Sequence, residues 1–422
     1  MAVKVIDRLP MRELVAHASG GGWGAEAATD GTSPVAIIRG ADFPQVATGD
    51  ARTLPVRWET DRKIPQRTLE AGDIVLEISG GTDDRPTGRT VFVTDRLLAQ
   101  HSVPVIPASF CRLVRIDQNK ADPRYAYYWL QSMYSAGRTW EYQNRSTGLS
   151  NFQFNYFLDA ETVDLPPLDE QRRIAHILGT LDDKIELNRR MNETLEEMER
   201  ALFKSWFVDF DPVRAKAEGR DPGLPKHLAD LFPDHLVDSE LGEIPEGWKV
   251  QSIDDVAVVS SGRRPITTDL DSACIPVLGG NGQTGWAQEP LTTGPLLVTG
   301  RVGTLGVVSR VYGAVWPSDN TLVLHPREAH LFQFTYYALS SMDLLQLNRG
   351  STQPLLSQRD LKAQPLIGPS RELLQVFDAF TAAFALRGHA TDMESRNTTM
   401  VRDLLLAKLL AGGPPLTEVS PE

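Results

Sequence analysis

Two stretches of the chain repeat apolar residues at helical spacing. In residues 169–207, which hold no proline and one glycine (Gly179), Ile174, Leu181, Leu195 and Leu202 form one heptad line. Ile177, Met191 and Met198 form the second line, and Leu178 and Ile185 widen the stripe. That pattern predicts a long coiled-coil helix. Lys184 and Asn188 interrupt it, and a polar residue inside a seam sets register and partner number. Asp169 and Glu170 suit the positive end of the helix, and Pro166–Pro167 precede it. A second helix is predicted over 370–411, with Leu373, Phe377, Phe380, Phe384, Met393, Met400, Leu404 and Leu405 as apolar positions and Gly412–Gly413–Pro414–Pro415 as its stop. At 1.5 Å per residue, 40 residues make a rod of about 60 Å, long enough to reach from one body to another.

The rest reads differently. Residues 1–167 and 248–369 carry short β-type runs, such as Asp73–Ile78, Cys111–Ile116, Leu296–Thr299 and Val307–Val311, separated by Gly, Pro, Asp and Asn. Helical stretches fall near Pro123–Met133 and Leu331–Leu345. The expected class is α+β: two mixed bodies joined by two long coiled-coil helices, whose antiparallel pairing would relate two halves by a pseudo-twofold. The predicted organisation is a first body over 1–167, a central helix over 168–210, and a Pro-rich linker over 211–247 with one short helix near His227–Leu231. A second body over 248–369, a C-terminal helix over 370–411 and a disordered tail over 412–422 complete it.

The chain repeats itself. Tyr127–Tyr128 with Leu130, Ser132 and Met133 recur as Tyr336–Tyr337 with Leu339, Ser341 and Met342. Pro167, Glu170, Met198, Arg200 and Leu202 recur as Pro369, Glu372, Met400, Arg402 and Leu404. The constant order of body, proline turn and long helix predicts two halves related by a pseudo-twofold.

Charge bears on partners. The net charge is −12, which by itself argues against nucleic acid. Counted by segment, −8 of it lies in 168–247, while 1–167 carries −2 and 248–369 carries 0. The bodies are therefore free to bear basic patches. The two cysteines, Cys111 and Cys274, have no metal-ligand spacing and suit a reducing compartment. The chain has neither a signal-type segment nor an 18-residue apolar run, so a soluble, cytoplasmic protein is expected.

The sequence carries no recognised catalytic or cofactor motif. The sequence has no GxxxxGK[ST], no GxSxG, no HExxH and no Asn-Pro-Pro-aromatic turn. Gly300–Gly306 is glycine-rich but falls between two β-type runs, which predicts a loop. What stands out is arginine in polar loops. In the first body these are Arg85 and Arg89 within GGTDDRPTGR, and Arg138, Asn144 and Arg145 near Trp140 and Tyr142. In the second they are Arg263, Arg264, Asn281, Gln283, Arg301, Arg349, Ser351, Thr352 and Gln353. Arginine reads guanine bidentately, Asn and Gln read adenine, and Ser and Thr suit phosphate, so these are the candidate DNA contacts.

At this point the chain resembles the specificity subunit of type I restriction–modification systems. The carrying residues are LPPLDEQRRIAHILGTLDDKIELNRRMNETLEEMERALFKSWFVDFDPVRAKAEG (165–219), LGEIPEGWKV (241–250) and GSTQPLLSQRDLKAQPLIGPS (350–370). The first body lacks the Pro-x-Gly-Trp start, and the second helix has Ser370–Arg371–Glu372–Leu373 where the family has Glu-Gln. The resemblance implies two target-recognition domains, each reading half of an asymmetric bipartite DNA site. It implies a coiled coil that sets the spacer and docks two modification (methyltransferase) subunits, with restriction (motor–nuclease) subunits joining the complex. S-adenosylmethionine, ATP and Mg would sit on those partners, and this chain would hold neither cofactor nor metal and perform no catalysis. The coiled-coil and partner-binding positions implied are Ile174, Ile177, Leu181, Asn188, Met191, Leu195, Met198, Leu202, Met393, Met400 and Leu404. The alternative reading is a protein–protein adaptor scaffold without sequence-specific DNA binding.

Overall fold

A computed structural model describes residues 7–82, 84–146, 149–265, 274–350 and 353–410. The chain divides into two compact units, Met1–Arg190 with Thr391–Glu422, and Met191–Ala390.

The first unit is built on two sheets. Strands β1 (Asp7–Pro10), β2 (Val15–Gly20), β3 (Thr32–Ile38), β4 (Val56–Thr60), β5 (Ile74–Glu77), β6 (Thr90–Phe92), β7 (Val105–Pro107) and β8 (Cys111–Ile116) precede a helix over Pro123–Ser135. Strands β9 (Gln143–Ser146) and β10 (Leu149–Phe152), a helix over Phe154–Ala160, and β11 (Thr162–Leu165) follow. One sheet has the order β2-β8-β5-β6 and the other β4-β3-β7, with β3 and β7 parallel. β1 closes against β11, directly before the first long helix. Alternation along β5 and β8 sends Ile74, Leu76 and Val114 into a core with Tyr125, Trp129, Phe154 and Leu178, and Val75, Cys111 and Leu113 into a second core with Phe43, Val91 and Leu97.

The second unit repeats this topology. After a hairpin of β12 (Leu236–Ser239) and β13 (Gly242–Pro245), its strands are β14 (Lys249–Ser252), β15 (Ala257–Ser261), β16 (Ile275–Gly279), β17 (Gly282–Ala287), β18 (Thr292–Thr293), β19 (Leu296–Gly300), β20 (Val308–Val311), β21 (Ala314–Pro317), β22 (Thr321–Pro326) and β23 (Pro365–Gly368). The sheet β15-β22-β19-β20 matches β2-β8-β5-β6, and β17-β16-β21-β18 matches β4-β3-β7 with one added strand. β14 closes against β23, as β1 does against β11. The proline-rich stretch is not bare chain. It holds helices over Asp211–Ala217 and Lys226–Ala229, and buries Phe210, Val213 and Phe232 in the second unit's core.

The two long helices run over Leu168–Phe207 and Arg371–Leu410. Within each unit they pair antiparallel. In the first, Asp182 meets Arg402 at 2.8 Å, while Asn188 donates to Glu394 at 2.9 Å and to Ser395 at 3.2 Å. In the second, Asn192 donates to the Gly388 carbonyl at 3.3 Å, and Phe203 and Trp206 pack on Phe377. The polar interruptions of the heptad are thus partnered. Asn188 is 1% exposed, and Lys184 reaches Glu394 at 3.0 Å. Ile174 is buried, and Ile177, Leu181, Met191, Leu195 and Leu202 are partly so. Met198, Met393, Met400 and Leu404 differ from the expectation of a seam: they face solvent, Met400 being 64% exposed. The second helix is apolar on more than one face. Its buried line near this end runs instead through Leu405 and Leu409, which pack on the first unit's core.

Candidate functional site

In each unit the antiparallel ladders bring one set of loops together. β8 pairs Arg112 with Gly20 of β2 and Cys111 with Glu77 of β5, so the end of β2, the end of β5 and the start of β8 meet. Gly21 donates to the Cys111 carbonyl at 3.1 Å and Gly22 to Pro107 at 2.9 Å. A Cβ on Gly21 would lie 2.0 Å from the Ala108 carbonyl oxygen, so glycine alone allows this approach. Gly80 donates to Ser150 and Phe152 to Ile78, which ties the β5–β6 loop to β10.

Arg39, Arg85 and Arg89 at this loop end are held by the protein itself. Glu77, at the end of an apolar strand, is 2% exposed and needs counter-charge. Arg89 supplies it with bonds of 2.8 and 2.5 Å, and donates to the Gly40 carbonyl at 2.8 Å. Arg85 adds a longer bond to Glu77 at 3.3 Å and one to the Gly80 carbonyl at 2.6 Å. The hydrogen bonds to Glu77 raise the Arg89 guanidinium above its ordinary value against the opposing effect of burial. Arg39 likewise closes on Asp42 at 2.7 Å. Arg138 lies against the buried Glu161, which also accepts from the Tyr142 hydroxyl at 2.7 Å. Asn144 is exposed on β9; the side chain of Arg145 lies outside what is described.

The second unit gathers corresponding loops. Gly262 donates to Thr321 at 3.1 Å, Arg263 to Pro317 at 3.0 Å, Arg301 to Asn320 at 2.8 Å, and Leu356 to Arg301 at 2.8 Å. Val302 and Leu355 form an isolated bridge. Arg263, Arg264, Asn281, Gln283 and Gln353 are exposed, and Gln283 bonds the nearby Gly285 carbonyl at 3.3 Å. Arg349 differs: it grips Asp360 with bonds of 3.0 and 2.9 Å, anchoring its loop to the helix over Gln358–Lys362. Asn348 shapes that loop by accepting from Gly350 and Leu355, each at 2.8 Å. Ser351 and Thr352 lie outside the described residues.

Both repeated tyrosine pairs bind the long helices. Tyr128 donates to Asp182, the partner of Arg402. Tyr337 donates to Glu199, which Arg310 meets at 2.8 Å. Burial and the neighbouring carboxylates push both hydroxyls well above the ordinary tyrosine value. Burial opposes charge on Arg402, yet its bonds to Asp182 and Asp403 raise it overall. No sequence motif marks Glu77, Glu161 or Glu199, and Asp182, which reads in the sequence as part of a solvated Asp182–Asp183 pair, instead takes Tyr128 and Arg402 as partners. The available signal was an acid set in an apolar strand or facing inward on a helix.

Among the described residues no group of three or more His, Cys, Asp or Glu side chains is placed to hold a metal, and no helix is long and apolar enough to cross a membrane. Comparison with known proteins agrees with the repeat. The type I restriction modification DNA specificity domain matches residues 59–197 and again 245–385. The HindI specificity subunit of Haemophilus influenzae is 25% identical over 320 residues, covering 60% of this chain and 68% of that protein. The MjaIX specificity subunit of Methanocaldococcus jannaschii is 23% identical over 277 residues, covering 59% of this chain and 60% of that protein. The crystal structure of a type I restriction–modification S subunit from M. genitalium superposes with a TM-score of 0.60 at 15% identity, over 99% of this chain and 98% of that one, and so shares the fold. With one specificity domain matched in each half, the chain belongs to the type I restriction–modification DNA specificity family.

Proposed function

We propose that this chain is the sequence-reading subunit of a type I restriction–modification complex. Each unit presents its loop end to one half of an asymmetric bipartite site in double-stranded DNA. The observation that carries the reading is the repeated loop end itself. Two bodies of one topology carry different loops after the matching strands, GGTDDRPTGR (80–89) against RVGTLGV (301–307), which suits two readers with different targets.

The chain contributes recognition and no chemistry. Adenine-N6 methylation falls to two modification subunits carrying S-adenosylmethionine, and cleavage to restriction subunits using ATP and Mg, all in the cytoplasm. The exposed Met393, Met400 and Leu404, spaced seven and four residues along one helix, support docking of a partner on that face. The test is a map of N6-methyladenine in host cells with and without this chain. A two-part motif that disappears with the chain is expected; an unchanged map overturns the reading.

A further inference from the structure

Each loop end holds one arginine whose enclosed Nε has no hydrogen-bond partner and which meets no carboxylate among the described residues. In the first unit it is Arg112, on β8 opposite Gly20 and Leu76. Its guanidinium lies 4.5 Å from the centre of the Phe154 ring, and its Nε is enclosed without a hydrogen-bond partner. In the second unit it is Arg301, directly after β19, whose Nε is also enclosed and unpartnered. Arg57 and Arg190 have enclosed Nε atoms too, but each is paired with a glutamate. Arg112 and Arg301 meet no carboxylate among the described residues.

Their places correspond. β8 is the counterpart of β22 and β5 of β19, so both arginines sit at the matching end of the matching sheet. Arg112 lies against the residue that opens the helix after β10. The Arg301 carbonyl accepts from Leu356, which follows the corresponding loop. Their neighbours are neutralised: Glu77 holds Arg85 and Arg89, Asp42 holds Arg39, and Asp360 holds Arg349. A half-buried cation without an acceptor is unfavourable alone and gains when an anion or carbonyl arrives. Burial already weighs against the charge on Arg112.

We infer that Arg112 and Arg301 are the paired recognition arginines, one per half, each completed by an acceptor on the DNA duplex (a phosphate oxygen or the edge of a guanine). This rests on the function proposed above. It assigns the contact to a residue outside the polar loops in the first half, and demotes Arg85 and Arg89 there to supports.

The test uses the full chain in its host, with binding measured on the complex purified from it. Duplexes carry the methylated motif, or that motif with one half scrambled. Arg112→Met keeps cover over Phe154 without the charge; Arg112→Lys keeps the charge. Arg112→Met and Arg301→Ala are each expected to lose about ten- to hundredfold in binding, each through a different half of the site, with melting unchanged and Arg112→Lys partly restored. Within the affected half, a loss insensitive to single base-pair changes, with a salt slope lower by about one, identifies phosphate as the acceptor; a loss confined to one base pair identifies the guanine edge. Binding within twofold of the parent chain, or equal loss through both halves, overturns the inference. If the parent chain shows no two-part motif, the proposed function fails instead.

Discussion

Arg89 separates support from contact most sharply. Arg89→Met removes two bonds to Glu77, at 2.8 and 2.5 Å, and one to Gly40. It leaves a carboxylate that is 2% exposed with Arg85 alone, at 3.3 Å. Breaking one side of a buried ion pair costs about 3–5 kcal/mol, because the remaining charge stays buried. In a unit of roughly 220 residues each kcal/mol lowers the melting midpoint by about 2–4 °C, so a fall of roughly 6–20 °C is expected. Scanning calorimetry would report it, and hydrogen exchange over Ile74–Glu77 and Thr90–Phe92 would locate it. Adding Glu77→Leu should recover much of the loss, since no uncompensated carboxylate then remains. A midpoint within about 2 °C of the parent, accompanied by loss of DNA binding, would refute the reasoning and make Arg89 a contact.

Two further outcomes follow from the same geometry. Tyr337→Phe removes a bond to the buried Glu199, which keeps Arg310, and should cost about 1.5–3 kcal/mol. Exchange should rise in the second unit alone, and a uniform rise in both would contradict this. Burial, first of all, pushes the Cys111 thiol up to about 12, while Cys274 is exposed. Alkylation at pH 8 should therefore add one group per native chain, at Cys274, as read by mass spectrometry. Comparable labelling of Cys111 in the folded chain would show that its burial is wrong.

Much of the architecture is legible in one dimension. Heptad spacing and flanking prolines mark both long helices, because helix periodicity is a local property of the chain. The repeated Tyr-Tyr and Pro-x-x-Glu positions mark two bodies of one topology. The loop arginines mark the ends of those bodies where the ladders converge. What such a reading leaves open is which charge meets which. Arg85 and Arg89 look free in GGTDDRPTGR until the β5–β6 hairpin folds them back on Glu77. Arg349 looks free until its loop brings it to Asp360, and Arg138 until Glu161 arrives from 23 residues away.

Helix faces pose the same problem. Met393, Met400 and Leu404 carry a helical apolar period, but a helix apolar on several faces does not state which face is covered. Packing against the first unit's core takes Leu405 and Leu409 and leaves the methionines outside. Local spacing by itself determined the elements, their order and their repeat. Tertiary structure alone decided which arginines are neutralised, and that Arg112 and Arg301 each enclose an Nε with no acceptor among the described residues. Pairing of charges depends on how hairpins and loops close in space, and no local pattern encodes those distances.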